Sequence, residues 1–233
     1  MKRYIPQVRL PEIGEKGQKK LQDSQVLIVG CGALGSPAAL YLAGAGIGTI
    51  TIADFDTIEL TNLHRQVFYR ENEVGEKKAE CLKQRILSLN SEVGVKVYNQ
   101  IVTRKWLEAN GRRFNLIIDA ADNPATTYML DEFCSTEGIA FSTAGVSEWR
   151  AQVFFYYPGS ANYSDIFPKP SEEQGILPCS LAGIAGPVAA FAASLQAVDV
   201  IKYLTGSFPE KQSHLINADL LNTKIDIIQC YLE

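Results

Sequence analysis

The sequence has few cysteines, and none are spaced to work as a pair. Cys31, Cys81, Cys134, Cys179 and Cys230 lie scattered along 233 residues, and no CxxC pair occurs. That excludes a disulfide scaffold and a self-contained cysteine zinc site, and it suits a reducing cytoplasm as the expected location. Neither sign of charge dominates: 22 Lys and Arg against 26 Asp and Glu give a net charge of −4. A basic groove for nucleic acid across the whole chain is therefore not expected. Residues 1–12 lack the apolar core of a signal peptide. Two stretches, 25–53 and 174–198, carry no charged residue. The first is broken by glycines and the second is mostly Ala and Gly, so both read as buried core, and no membrane association is expected. Repeats, low-complexity tracts and linkers are absent too, and one domain over 1–233 is expected.

What is present is an alternation of strand and helix. Residues 26–29 (Val-Leu-Ile-Val) end in glycine and suit a central strand. A helix is expected over 33–45, a strand over 49–53, and a helix over 74–89 with Leu82, Ile86 and Leu89 at helical spacing. Val93, Val95 and Val97 alternate as a strand. Thr103 caps a short helix to Asn110. Residues 116–118 form a fourth strand, and Asn123-Pro124 reads as an N-cap with proline at the first helical position. Residues 139–143 form a fifth strand. A polar helix over 11–23, with Pro11 near its start, precedes the whole series.

Beyond residue 143 the pattern changes. An aromatic strand over 151–157 is followed by a Pro-, Ser- and Glu-rich loop over 158–178, a long helix over 184–204, and strands over 215–218 and 224–228. The fold class is α/β: a Rossmann-like, doubly wound, mostly parallel sheet continued by antiparallel C-terminal strands.

Gly30-Cys31-Gly32-Ala33-Leu34-Gly35 matches G-x-G-x-x-G between a strand and a helix. Its glycines allow a tight turn and a close backbone approach to phosphates at the helix N-terminus. Asp54, at the end of the second strand, is placed to accept from ribose hydroxyls. The motif alone leaves NAD, FAD and ATP open. Three further clusters favour a triphosphate: Asn62-Leu63-His64-Arg65-Gln66, Lys78, and Asp119-Ala120-Ala121-Asp122-Asn123. Arg65 and Lys78 supply cations for phosphate oxygens, and Asp122 supplies an oxygen ligand for Mg²⁺.

Taken together these segments resemble the ThiF/MoeB/HesA family of adenylyltransferases, relatives of the ubiquitin-activating enzymes. Asp54-Phe55-Asp56, Val74-Gly75 and Pro178-Cys179 also match, and the resemblance covers nearly the whole chain. It implies Mg-ATP and adenylylation of the C-terminal glycine carboxylate of a ubiquitin-like sulfur-carrier protein, with release of pyrophosphate. It further implies a diglycine tail on that carrier, a sulfur-donor protein and a homodimer. Residue by residue, Gly30, Gly32, Ala33 and Gly35 would form the nucleotide loop, and Asp54 would bind ribose. Asn62, Arg65 and Lys78 would contact phosphates. Asp122 would hold Mg²⁺ beside Asn123. Ala33 stands where relatives often have glycine. Cys179 matches the cysteine that takes part in sulfur transfer in thiamine-type members, so the thiamine carrier is expected. The molybdopterin-synthase small subunit, a non-catalytic carrier-binding homologue and an NAD-dependent oxidoreductase are the alternatives. Carboxylate attack on phosphate needs positioning and cationic neutralisation more than a base, so His64 is read as positional.

The chain departs from the family in two places. Asn162 and Asp165 stand where many relatives have the first zinc CxxC, and no second pair is present, so no zinc is expected. Pro6 stands where relatives have an arginine that reaches into the partner subunit's ATP site, and Arg9 is the candidate substitute. Cys31, Cys81, Cys134 and Cys230 are expected to be packed. His214 is expected to be structural or exposed. The aromatic strand is expected to be core.

Overall fold

The computed structural model describes residues 2–170 and 183–232. Its eight strands form one sheet in the order β3-β2-β1-β4-β5-β6-β7-β8. The strands are β1 (Gln25–Val29), β2 (Thr49–Ala53), β3 (Gly94–Tyr98), β4 (Leu116–Asp119), β5 (Ala140–Ser147), β6 (Arg150–Tyr156), β7 (Ser213–Asp219) and β8 (Lys224–Cys230). The first five run parallel, and β6, β7 and β8 each pair antiparallel with the strand before. The expected architecture is therefore the observed one.

The central strands bury both faces, and this is why they read as continuous apolar runs. In β1, Val26 and Ile28 face one core, and Leu27 and Val29 face the other. The first core is closed by helices α2 (Gly14–Asp23), α3 (Gly35–Ala45), α4 (Lys78–Leu89) and α8 (Gly186–Thr205). The second is closed by α5 (Arg104–Asn110), α6 (Pro124–Glu137) and α7 (Tyr163–Ile166). Phe154, Phe155 and Tyr156 of the aromatic strand are buried, as expected.

Helix α8 spans 20 residues and is long and apolar enough to cross a membrane by composition. Here Val188, Ala189, Ala192 and Ala193 pack instead against Ala38 of α3 and Ala151 and Val153 of β6. Small side chains let the helix lie close to the sheet.

Several boundaries differ from the expectations. Pro11 does not open a helix. A short helix α1 (Ile5–Val8) carries Pro6 in its first turn, and α2 begins only at Gly14, whose φ is +57°. Helix α4 begins at Lys78 rather than residue 74, because Gly75 takes φ +94° and breaks the path. Lys78 is thus the first residue of its helix, not one turn inside it. Thr103 and Asn123 cap as expected, accepting from Trp106 N at 3.2 Å and Thr126 N at 2.9 Å.

The 158–178 segment is not structureless where it is described, since it contains α7. Asn162 and Asp165 form a reciprocal capping box there, with bonds of 2.8 and 3.0 Å. Asp131 of α6, almost fully buried, accepts from Tyr163 N, Ser164 N and Ser164 Oγ at 2.8, 3.0 and 2.5 Å. Burial pushes the Asp131 carboxyl above the usual range, and these bonds oppose the rise. Hydrogen bonds at a helix start therefore order the residues around Asn162 and Asp165, where no cysteine pair is present.

Candidate active site

The site lies where the chain reverses direction across the sheet. From β1 it continues to β2 on one side, while β4 lies on the other. That leaves a crevice at the carboxyl ends of the strands. The turn after β1 is shaped by backbone contact. A Cβ on Gly30 would sit 2.5 Å from Ala120 O, and one on Gly35 would sit 1.9 Å from Gly30 O. A Cβ on Gly32 would meet only Gln66 Nε2, at 3.5 Å. Gly30 and Gly35 therefore make the turn, while Gly32 leaves open space over the backbone.

That space is part of a cavity of about 770 Å³. It brings together Gly30, Gly32, Ala33, Asp54, Asn62, Arg65, Lys78, Asp122 and Asn123, which the sequence had put forward from separate segments. Gly35 does not line it. Cys179 lies outside the described residues.

Most of its polar side chains are held by their neighbours. Asp54 is buried, and its two oxygens accept from Cys31 N at 2.6 Å and Asp56 N at 2.7 Å. Tyr69 donates to Cys31 O at 2.7 Å, so the peptides on both sides of Cys31 are held. Burial pushes the Cys31 thiol well up, so it packs rather than reacts, as expected. Cys134 and Cys230 are buried too, and Cys81 is partly so. Lys78 Nζ pairs with Asp56 Oδ2 at 2.8 Å. Arg65 Nη1 donates to Thr61 O at 3.1 Å and contacts His64 Nε2 at 2.8 Å. Because a guanidinium has only donors, that ring nitrogen is the acceptor in this contact, which lets His64 orient Arg65. Asn62 Oδ1 accepts from Glu59 N. Asp122 is exposed, and among the described residues its carboxylate has no hydrogen bond or ion pair. This donor set, two cations with an unpaired carboxylate and open backbone over Gly32, fits a magnesium triphosphate.

Beneath the cavity lies a group that carried no role in the sequence. Asp119 ends β4 and is buried, and it accepts from Thr127 Oγ1 at 2.6 Å, Thr143 Oγ1 at 2.9 Å and Ala121 N at 3.1 Å. Burial raises its carboxyl to about 6, against those bonds. Thr127 and Thr143 also line the cavity, so Asp119 braces its wall. Its place as the first acid of the Asp-x-x-Asp segment was the available signal. Asp56, second acid of Asp54-Phe55-Asp56, was missed likewise. His214 is buried against Asp199, with Nε2 to Oδ2 at 2.9 Å, and is structural.

The model of the ThiF family matches residues 4–232. The adenylyltransferase and sulfurtransferase MOCS3 of Dictyostelium discoideum is 39% identical over 208 residues, covering 89% of this chain and 49% of that protein. The Xenopus laevis protein of the same name is 35% identical over 221 residues, covering 94% and 49%. The chain thus spans about half the length of the curated relatives it matches. Among solved structures, Escherichia coli MccB with ATP superposes with a TM-score of 0.79 at 29% identity, over 93% of this chain and 66% of that one.

Proposed function

The chain belongs to the ThiF family, and from that premise we propose that it uses ATP to adenylylate the C-terminal carboxylate of a ubiquitin-like sulfur-carrier protein. One observation carries this reading. A single cavity collects the open glycine backbone, Asp54, Asn62, Arg65, Lys78 and Asp122.

The reaction joins a carrier carboxylate oxygen to the α-phosphorus and breaks the bond to the β-phosphate, releasing pyrophosphate. No proton need move. The barrier is electrostatic, because two anions must meet. Lys78 would leave Asp56 for a phosphate oxygen. Arg65, oriented by His64, would present its free guanidinium edge. Asp54 would orient the ribose, and its own orientation is already fixed by Cys31 N and Asp56 N. Asp122 would hold Mg²⁺, which when bound screens the triphosphate charge. A nicotinamide reading gains no support from two cations and a free carboxylate.

The expectation of a thiamine carrier is replaced here. It rested on Cys179, whereas the relatives are adenylyltransferase and sulfurtransferase proteins of the MOCS3 type. They support the molybdopterin-synthase small subunit as the carrier class. The expected homodimer stays with this reading, and so does Arg9 as a trans cation. Arg9 is exposed directly after α1.

The test is ATP–pyrophosphate exchange by the purified chain, with a diglycine-tailed carrier of each pathway. Exchange that needs the molybdopterin-type carrier and is lost in Asp122→Ala is the expected outcome. Folded protein that exchanges with no carrier would favour the non-catalytic homologue.

A further inference from the structure

Gln196 sits on the sheet-facing side of α8 among Ala192, Ala193 and Ala197, and all four are buried. Its Nε2 donates to the main-chain carbonyl of Asp119 at 3.2 Å and to Ser142 Oγ at 3.4 Å. Its Oε1 is enclosed and has no hydrogen-bond partner among the described residues. A buried carboxamide with an unpaired acceptor opposes folding, and a methionine would fill much the same volume without that cost. What the amide adds at this place is the bond to Asp119.

Asp119 opens the turn that leads to Asp122. Along it, Ala120 N donates to Val29 O at 2.8 Å and Ala121 N to Asp119 Oδ1 at 3.1 Å. The peptide between Asp119 and Ala120 is thus held at both ends, its N–H by β1 and its carbonyl by α8. Asp122 lines the cavity and is exposed, and among the described residues its carboxylate has no hydrogen bond or ion pair. No side-chain contact aims that carboxylate, so its place is set by the main chain that carries it. On one side that chain is pinned by the Asn123 cap of α6, and on the other by the peptide that Gln196 holds.

We infer that Gln196 is a positioning residue for the metal side of the site. From beneath the sheet's carboxyl edge it fixes the peptide from which the turn to Asp122 departs, so the Asp122 carboxylate meets Mg²⁺ already placed. This inference rests on the ATP-dependent reading above and deepens it. Groups behind a metal ligand act on metal affinity through the ligand's orientation, without touching the metal. Ligand order supplied by the fold need not be supplied by the ion.

The experiment compares wild type, Gln196→Met and Gln196→Asn in the full chain. It measures affinity for the methylene-bridged ATP analogue across a Mg²⁺ series and in chelator, the melting temperature, and amide hydrogen exchange without Mg²⁺. Methionine removes the unpaired acceptor along with the donor, so the melting temperature of Gln196→Met is expected to hold within a few degrees. Asparagine keeps the carboxamide but is one methylene too short to reach Asp119 O, and it decides the matter if Gln196→Met does not fold. In each folded variant the half-saturating Mg²⁺ concentration is expected to rise about tenfold, the lower end for an outer partner of a metal ligand. Affinity for the metal-free analogue is expected to hold. Exchange is expected to speed up at Ala120 and Ala121 and to stay as in wild type at Leu27 and Ile28 of β1. An unchanged Mg²⁺ requirement in a folded variant overturns the inference while leaving the family reading intact. So does a raised requirement with unchanged exchange at Ala120 and Ala121, because the effect then does not run through the turn. Equal loss of affinity with and without Mg²⁺, with faster exchange through β1, marks a merely structural residue and also overturns it. Folded wild type whose analogue affinity ignores Mg²⁺ overturns the magnesium–ATP reading itself and this inference with it.

Discussion

Lys78 Nζ lies 2.8 Å from Asp56 Oδ2 at the mouth of the cavity, and the two differ sharply in exposure, 8% against 48% at the side chain. The cation expected to meet phosphate is therefore held, without ligand, by a carboxylate that water can reach. The pair keeps a buried ammonium neutralised until a better anion arrives.

Breaking that pair gives a two-sided expectation. Asp56→Asn leaves the Lys78 charge without its partner and lowers stability without nucleotide, by about 1 kcal/mol once the exposure of Asp56 is discounted. ATP supplies the missing anion, so the stabilisation it confers should grow. Thermal melts with and without Mg-ATP read both effects. Lys78→Ala should reduce pyrophosphate exchange by about a hundredfold or more, as loss of a transition-state cation does.

The glycines of the loop separate turn from ligand. Gly35→Ala would place a Cβ 1.9 Å from Gly30 O and should cost about 3 kcal/mol or more. Gly32→Ala meets only ordinary contact and should fold nearly as wild type while losing ATP affinity. Denaturant unfolding beside ATP titration distinguishes the two. Equal stability loss in both would mean that Gly32 is no more than a turn residue.

Asp119 predicts a pH dependence of known sign. Burial holds its carboxyl at about 6 in the fold, against 3.8 as the ordinary value. Between those values the native state keeps a proton that the unfolded chain has lost. Stability should therefore fall as pH rises from about 4 to about 6, by roughly 2–3 kcal/mol at 1.36 kcal/mol per unit, and stay at the lower level above. Asp119→Asn should flatten that segment. Urea unfolding at a series of pH values checks it.

The start of α7 offers a fourth test. Asp131→Ala removes the acceptor for three bonds and should cost about 2–4 kcal/mol. Hydrogen exchange should speed up at Tyr163 and Ser164 first. Asn162→Ala, which removes one cap, should cost about 1 kcal/mol. If exchange at these amides is unchanged in both variants, hydrogen bonding does not order the segment.

Much of this was legible because the deciding forces were local. Val26-Leu27-Ile28-Val29 is buried on both faces, and its apolar run says so. Thr103 and Asn123 cap helices through their own side chains within three residues, and both were readable. The candidate site was legible as separate segments, since Gly32, Asp54, Arg65, Lys78 and Asp122 each follow a strand or open a helix. What escaped depended on distant partners. Past the break at Gly75, the first residue of α4 is tied down by Lys78 N bonding to Asp56 O across 22 residues. The role of Asp119 depends on Thr143, and that of Asp131 on a loop more than thirty residues on.

One contact at the head of α8 has a mechanical side. A Cβ on Gly186 would fall 2.8 Å from His64 O and 3.2 Å from Arg65 Cα. The helix start thus bears directly on the main chain that carries the guanidinium, with no soft side chain between them. Glu148 grips the residues just ahead, its N–H on Gly183 O at 2.7 Å and its carbonyl receiving Ala185 N at 3.1 Å. Hairpin tip, helix head and arginine loop are thus in direct backbone contact. A side chain at position 186 would therefore press on the main chain at His64 and Arg65 rather than on a side chain that could turn aside.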